Sequence, residues 1–313
     1  MTAHRITVLS RSLIAAVLFS GLAAFGAQAS DGPGTVGADY LTLPIGSKSI
    51  AMGEVQAAAI GEPLGWLSNP ATLHGMDGMG FGVFHAEWLM GTKYDNAAYH
   101  HRLNRQLSLA LGFASVRRPE IQGYNETGLA TGELDNANYT AFFGMGYSPT
   151  AEITVGLGAK YFSEKLDASS ADGFGFDLGI LYMITKARLS LGFVAQNVGP
   201  EITFESIEEP LPTTLRGGAS YVTEIHDGDA GLTLAFDVVK PRYEKLYWDA
   251  GCELMLVKTV GLRIGYNGRE YRPGSGLTLG CGAAVKNISV DYAWTSYGDL
   301  GSIHRFALYF TMR

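Results

Sequence analysis

The sequence predicts an all-β protein, a 14-stranded antiparallel transmembrane β-barrel of the bacterial outer membrane with an N-terminal plug segment. Three observations lead to this fold class: an export signal at the start, short segments of alternating polarity along most of the chain, and connections that alternate between short and long. Composition agrees with it. Of 313 residues, 17% are charged, against about 25% in soluble domains, and the 47% hydrophobic content excludes a disordered chain.

Residues 1–29 have the features of a secretory signal peptide. A positively charged start is followed by an apolar run at 13–25 and by the cleavage pattern Ala-x-Ala at 27–29. The alternative is a membrane anchor, but the apolar run is shorter than the roughly 20 residues that a spanning helix needs. We therefore expect export, with the mature chain beginning near Ser30.

Fourteen segments of about ten residues alternate apolar side chains with small or polar ones. In 287–296, for example, Ile288, Val290 and Tyr292 share one face, while Ser289 and Asp291 lie on the other. The length suits a tilted strand that crosses a membrane, and the even number is usual for outer-membrane barrels. The predicted strands are 79–88, 93–103, 106–116, 136–147, 152–162, 173–184, 187–198, 212–222, 231–238, 245–256, 259–268, 275–284, 287–296 and 302–312.

The connections between these segments indicate a direction across the membrane. Those after even-numbered strands are mostly two to four residues long, with 223–230 as the exception, and those after odd-numbered strands are mostly longer. Short periplasmic turns and long extracellular loops are typical of outer-membrane barrels. Aromatic residues at strand ends predict two interfacial girdles, unless they merely reflect the preference of Tyr and Trp for strands. The girdle residues are Trp88, Tyr139, Tyr161, Trp248, Tyr266 and Trp294 at the long-loop end, and Tyr147, Tyr182 and Tyr221 at the short-turn end.

An outward apolar face leaves five acids and five bases pointing into the barrel. This balance predicts a polar lumen rich in ion pairs, whereas a strongly ion-selective pore would show an excess of one sign. Inward glycines either leave room for something against the wall or only permit strand curvature. The predicted inward charges are Lys160, Asp177, Arg188, Arg216, Asp237, Asp249, Glu253, Arg263, Asp291 and Arg305, and the glycines are Gly156, Gly158, Gly192, Gly280 and Gly282.

Residues 30–77 do not alternate and are predicted to form a plug inside the barrel, which itself occupies 78–313. Residues 49–60 have helical propensity, and Gly61-Glu62-Pro63 breaks it. The apolar content of the segment favours a folded plug over a disordered periplasmic leader. Such a plug could also supply an apolar pocket within a polar lumen.

The plug segment contains YLTLPIG at 40–46, AMGE at 51–54 and NPA at 69–71. In the order and spacing of these motifs, over about 35 residues, it resembles the N-terminal pattern of the PorV/PorQ family of outer-membrane proteins. It departs from that pattern at Ser47-Lys48, at 61–63 and at Thr72. The resemblance implies a functional plug motif, and its residues are Pro44, Gly46, Met52, Gly53, Asn69, Pro70 and Ala71.

This family is related to FadL-like long-chain fatty-acid channels, which also have fourteen strands and an inserted N-terminal hatch. The resemblance therefore implies an outer-membrane location. It also implies a role of PorV/PorQ type in type IX-like protein secretion or in surface attachment of cargo. Its partners would be outer-membrane lipid, secretion-system components and secreted cargo. The alternative is a FadL-like channel for uptake of hydrophobic small molecules.

The sequence contains no motif for catalysis, and we expect no enzyme, cofactor or metal site. His100 and His101 are adjacent on a strand, so their rings point in opposite directions. Cys252 and Cys281 lie two strands apart, beyond disulfide reach, and should be free, outward thiols. A net charge of −7 without a basic block makes a nucleic-acid partner improbable.

The two longest connections, 117–135 and 199–211, contain apolar residues that could contact a partner at the cell surface. Tyr124 and Phe204 are the candidate contact residues. Alternatively, these loops fold back over the barrel mouth as a lid.

Overall fold

The computed structural model describes residues 35–134, 136–167, 169–225, 230–270 and 273–312, and the predicted signal peptide lies outside them. It shows a closed barrel of fourteen antiparallel strands with an N-terminal plug, which confirms the predicted fold class. The barrel strands are β1 (Met79–Glu87), β2 (Lys93–Arg102), β3 (Leu107–Arg117), β6 (Asn136–Tyr147), β7 (Ile153–Leu166), β8 (Ser169–Ile184), β9 (Leu189–Val198), β12 (Thr214–Ile225), β13 (Ala230–Pro241), β14 (Tyr247–Leu256), β15 (Val260–Asn267), β16 (Leu277–Val285), β17 (Ile288–Ser296) and β18 (Ser302–Met312).

Each barrel strand pairs with the barrel strand that follows it, and the ring closes where β1 meets β18 in the register Met79↔Met312. The two longest connections contain small hairpins outside the ring. The first pairs β4 (Ile121–Tyr124) with β5 (Ala130–Leu134), and the second pairs β10 (Ile202–Phe204) with β11 (Ile207–Glu209). We call the end of the barrel that carries these hairpins the long-loop end, and the opposite end the short-turn end.

The connection predicted at 163–172 is largely strand. β7 continues to Leu166 and β8 begins at Ser169, so these two strands project beyond their neighbours at the long-loop end. Within the described residues, Ser169–Gly175 of β8 pairs only with β7, because β9 ends at Val198 opposite Phe176.

The outer surface of the barrel is an apolar band. In β15 every second residue is exposed, and the exposed residues include Leu262, Ile264 and Tyr266. Such a surface is stable only in lipid, and a closed ring leaves no strand edge unpaired there. The chain is therefore an outer-membrane barrel protein. No helix in the described part of the chain is long and apolar enough to cross a membrane.

The predicted girdle at the long-loop end is correct for several aromatic residues and wrong for Trp88. Tyr139, Tyr161 and Trp248 are exposed on the outer surface. Trp88 instead packs against the core, with its ring 4.8 Å from the guanidinium carbon of Arg305. It follows the last residue of β1, where the alternation of the strand no longer determines its direction.

The lumen is polar and rich in ion pairs, as its charge balance predicts. Lys160 lies 2.8 Å from Asp177, and the Arg263 guanidinium contacts both Glu253 and Asp291. The prediction was wrong for Arg188, whose side chain is half exposed and lies near Glu224. Arg188 has φ 53° at the turn before β9, so it does not share the alternation of that strand.

A bulge interrupts the pairing of β8 with β9. The register shifts between Phe176 and Leu178, so that Asp177 faces two residues of β9. The Asp177 carboxylate accepts a hydrogen bond from the Asn197 backbone N–H at 2.8 Å, and the Asn197 amide oxygen accepts one from Lys160 at 2.7 Å. These buried groups replace the missing ladder hydrogen bonds from the lumen side.

Residues 35–77 fill the lumen as an irregular plug. Its one α-helix in the described range, α1 (Ser47–Ala51), ends at Ala51, whereas helical propensity predicted a helix over 49–60. Gly53 follows with φ +80°, a conformation that terminates the helix. Short 3-10 turns at Asp39–Thr42, Gly65–Leu67 and Pro70–Gly75 form the rest of its regular structure.

Candidate functional site: the plugged lumen

Glycines on the inner wall receive the backbone of the plug. A Cβ atom at Gly192 would lie 1.9 Å from the Ala57 carbonyl oxygen, and one at Gly265 would lie 2.0 Å from the Gly53 nitrogen. Side chains at these positions are incompatible with the docked plug. The plug backbone comes similarly close at Gly156 and Gly251, whereas at Gly179 and Gly280 the nearest plug atoms belong to the side chains of Asn69 and Ala51.

This arrangement decides between the two interpretations of the inward glycines. Of the five named from the sequence, Gly156, Gly192 and Gly280 make room for the plug. Gly158 and Gly282 instead lie against the charged side chains of Asp177 and Asp291. The inner wall is therefore shaped both for the plug and for its own ion pairs.

The residues of the plug motif lie at these contact points. The backbone of Met52 and Gly53 lies against wall glycines of β14 and β15, and that of Pro70 and Ala71 lies against Gly156 of β7. A Cβ atom at Gly53 would be 2.5 Å from the carbonyl oxygens of Ala250 and Tyr266 in the wall, so this position admits only glycine. Pro44 lies apart from these contacts and lines the cavity described below.

Asn69 connects two parts of the plug. Its side-chain amide donates a hydrogen bond to the Ala57 carbonyl oxygen at 2.6 Å, and its side-chain oxygen accepts one from the Ala71 N–H at 3.1 Å. Its backbone is extended, as is usual for a residue that precedes proline. Asn69 is fully buried, and its side-chain oxygen would contact any Cβ atom at Gly179.

A buried cluster of charges fixes the middle of the plug to the wall. The Asp237 carboxylate accepts hydrogen bonds from the backbone N–H groups of Gln56 at 2.7 Å and Ala57 at 2.9 Å. The same carboxylate oxygen lies 3.0 Å from Arg216, which also contacts Asp249 and donates to the Glu54 carbonyl oxygen. Because two plug amides and a guanidinium share one carboxylate, the plug conformation and the wall charges depend on each other.

A second charge cluster holds α1 near the short-turn end. Lys48 lies 2.8 Å from Glu253, which also contacts Arg263 at 2.7 Å. Glu62 accepts hydrogen bonds from the backbone N–H groups of Ser49 and Leu64, and its carboxyl group lies against Gly46. Burial raises the pKa of Glu62 to about 7, to which the nearby Asp291 contributes, while these hydrogen bonds and Lys48 lower it.

The plug leaves a cavity of about 340 Å³ at the long-loop end of the lumen. The size falls in the range of small-molecule sites. Its apolar lining comes from both the plug and the wall and includes Tyr40, Leu41, Leu43, Leu67, Trp88 and Phe142. Its polar lining includes Gln56, Asn138, Lys160, Gln196, Asn197 and Arg216.

The mouth of this cavity is bordered by two loops joined by an ion pair. Arg269, between β15 and β16, donates to Glu244, between β13 and β14, with its Nε at 2.8 Å and with a second guanidinium nitrogen. Beside it, the Arg242 guanidinium lies 5.2 Å from the centre of the Tyr243 ring. A second cavity of about 300 Å³ opens at the short-turn end and is lined by residues that include Lys48, Glu62 and Arg263. The plug separates the two.

The two candidate partner-contact residues occupy different environments. Tyr124 is 66% exposed at the tip of the β4–β5 hairpin. Phe204 is partly buried and packs against the core, while Ile202 of the same strand is buried. The connection 199–213 thus folds back against the plug, where Gly37 donates a hydrogen bond to the Pro210 carbonyl oxygen.

Other residues singled out in the sequence lie outside the cavity. His100 is buried in the lumen 2.7 Å from the Tyr309 hydroxyl, and neighbouring His101 is half-buried. Both cysteines are free thiols, as predicted, with Cys281 exposed and Cys252 half-buried. Gln56 and Asn138 were missed as lining residues, because the plug has no periodicity and Asn138 is one polar residue among many on the inner face.

Comparisons with known proteins give matches in structure. No protein-family model matches the chain, and no curated protein matches its sequence. The toluene transporter TbuX of Ralstonia pickettii is 16% identical, with a TM-score of 0.59, over 86% of this chain and 99% of that one. The toluene transporter TodX of Pseudomonas putida is 13% identical, with a TM-score of 0.57, over 85% and 96%. A Pseudomonas aeruginosa FadL homologue is 10% identical, with a TM-score of 0.51, over 85% and 98%.

The chain has the fold of FadL-like outer-membrane barrels. At these identities the likeness establishes the fold alone. TbuX and TodX are described as toluene transporters, and CymD, which also matches in structure, is described as a monoaromatic hydrocarbon channel.

Proposed function

We propose that the protein is a non-enzymatic, FadL-like channel for hydrophobic small molecules. The observation that carries this proposal is the cavity at the long-loop end, whose apolar walls come largely from the plug. The inner wall of the barrel is mainly polar and would disfavour a hydrophobic ligand. Leu41, Leu43 and Leu67 of the plug, however, give the cavity an apolar surface. Hydrophobic cargo is also what the names of the toluene transporters with this fold describe.

A cavity-filling variant tests the proposal. Ala114 of β3 is buried and lines the cavity, whereas Leu111 of the same strand faces outward. We expect Ala114→Phe to slow toluene uptake by whole cells that carry the protein in their outer membrane by about tenfold, because the added ring occupies the cavity, and about 1.4 kcal/mol of lost binding corresponds to that factor. Leu111→Phe is the matched control and should transport normally. Equal toluene uptake by cells with each of the three proteins and by cells without the protein would contradict the proposal.

A secretion or surface-attachment role of PorV/PorQ type is a second candidate. It rests on the plug-motif resemblance and on the β4–β5 hairpin, which exposes Ile121, Tyr124 and Leu129 to solvent. Affinity purification from outer membranes tests it: secretion components or sorted cargo would support this role. Recovery of the barrel with lipid alone would favour the channel.

A further inference from the structure

Buried polar atoms in the cavity bear on what the proposed channel accepts. Asn138 of β6 is fully buried and lines the cavity. Neither its amide nitrogen nor its amide oxygen has a hydrogen-bond partner among the described residues. The same holds for Nε2 of Gln56 and Nε of Arg216, two further lining residues that are at least nine-tenths buried.

Leaving such groups without partners is costly. A buried polar atom with no hydrogen bond costs about 1–3 kcal/mol, so polar lining of this kind is usually matched to a ligand or to water. A pure hydrocarbon would satisfy none of these atoms. The set offers three donors and one acceptor, which suits a hydroxyl or carbonyl oxygen.

The buried charges of the cavity lining disfavour a carboxylate as the polar group of a ligand. The two deeply buried cations in the lining are already neutralised, Lys160 by Asp177, and Arg216 by both Asp237 and Asp249. An anionic ligand would lie near these three carboxylates without an unpaired buried cation to receive it. An uncharged oxygen is not repelled by these carboxylates and needs no cation as a partner.

We infer that the cavity selects uncharged, mainly apolar molecules that carry a hydroxyl or carbonyl oxygen, and that Asn138 recognises that oxygen. This inference rests on the proposed channel function and specifies its substrate class. The apolar body of the ligand would pack against Tyr40, Leu43 and Phe142, and the oxygen would reach the amide of Asn138.

Three probes of similar shape separate the alternatives: p-cresol, p-xylene and p-toluate. Binding is measured by calorimetry at neutral pH with the full-length protein in lipid nanodiscs, and the signal of empty nanodiscs is subtracted. We expect p-cresol to bind about tenfold more tightly than p-xylene, and p-toluate to bind most weakly.

Asn138→Leu should abolish the preference for p-cresol while leaving p-xylene binding intact or tighter. Asn96→Leu is the matched control, because Asn96 is also a buried amide with an oxygen that lacks a described partner but does not line the cavity. This variant should keep the preference for p-cresol over p-xylene. Faster migration in gels before heating than after it verifies that both variants fold.

Each alternative result has a distinct meaning. Equal affinity for p-cresol and p-xylene in the wild type, or an unchanged preference in Asn138→Leu, would overturn the inference and leave the channel proposal standing, with water as the partner of these atoms. Tightest binding of p-toluate would overturn the choice of a neutral oxygen. Absence of binding by all three probes would contradict both this inference and the channel function.

Discussion

Asp237 in the barrel wall accepts a hydrogen bond from the backbone N–H of Gln56 in the plug at 2.7 Å, across 181 residues of sequence. A side chain of the wall thereby fixes a main-chain position of the plug, independently of which side chain the plug carries there. Because the neighbouring N–H of Ala57 shares the same oxygen, this carboxylate is the strongest candidate for the attachment that keeps the lumen closed.

Removing this charge should loosen the plug. Asp237→Asn weakens two charge-assisted hydrogen bonds and one of the two ion pairs of Arg216, which should cost about 3 kcal/mol. We expect faster entry of small sugars in a liposome-swelling assay. Asp177→Asn is the control, since Asp177 is an equally buried acid that pairs within the wall. Equal leakage from both variants would show that Asp237 has no special role in retaining the plug.

The glycine contacts give a steric prediction. In Gly192→Ala the new Cβ atom would overlap the Ala57 carbonyl oxygen, so the plug must shift at a cost of about 1–3 kcal/mol. Limited proteolysis should then cut within the plug of the folded barrel. Gly231→Ala is the comparison, because its Cβ atom would meet Met255 at an ordinary 3.6 Å. Full protease resistance of the Gly192 variant would rule out a tight fit at this position.

Deleting residues 30–68 tests whether the plug occludes the lumen. The deletion leaves all fourteen strands, so the barrel should still insert and migrate faster in gels before heating than after it. Small-solute permeability should rise, because the segment that separates the two cavities is gone. Unchanged permeability of a correctly inserted barrel would mean that other residues close the pore.

The raised pKa of Glu62 leads us to expect that docking of the plug weakens as pH rises. Its pKa is about 7 in the folded protein and 4.5 for an ordinary glutamate. Since the folded state holds this proton more tightly, the stabilisation is complete below pH 4.5 and is lost as pH rises through 7. The urea concentration at which proteolysis releases the plug should fall from pH 5 to pH 8. In Glu62→Gln this urea concentration should change little with pH. If it changes as much as in the wild type, another titratable group causes the pH dependence.

The exposed hairpin gives a prediction for partner binding. Substituting both Tyr124 and Phe204 by Ser should reduce co-purification of a surface partner while barrel assembly stays normal. Tyr124→Ser alone should account for most of that loss, because Tyr124 is exposed whereas Phe204 packs against the core. If the double variant retains a partner at the wild-type level, these residues do not form the contact surface.

Strand positions could be predicted from the sequence because successive side chains of a barrel strand point alternately to the lipid and to the lumen. The segment predicted at 287–296 is β17, Ile288–Ser296, with Asp291 facing inward. The rule fails at strand ends, where Arg188 and Trp88 leave the alternating pattern. It also fails in β9 opposite Asp177, where the bulge sets Gln196 and Asn197 against a single residue of β8.

The path of the plug could not be read in the same way. Its contacts join residues such as Ala57 and Gly192, which are far apart in sequence, and its backbone follows no repeating geometry. Inward glycines were a usable signal that something lies against the wall, but they did not show which plug residue meets which glycine. The cavity is the space that the docked plug leaves in the lumen, so its lining residues could not be predicted from the sequence either.

The contacts of the plug with strands near the end of the chain have a consequence for biosynthesis. The plug leaves the ribosome before every strand it contacts, and Gly53 reaches its hydrogen-bond partner Thr278 only after a further 225 residues. Contacts of such high sequence separation form slowly, because a long loop must close before they contribute. The plug emerges before the strands yet is among the last parts of the chain to reach its final contacts, and until then its apolar side chains can take part in aggregation.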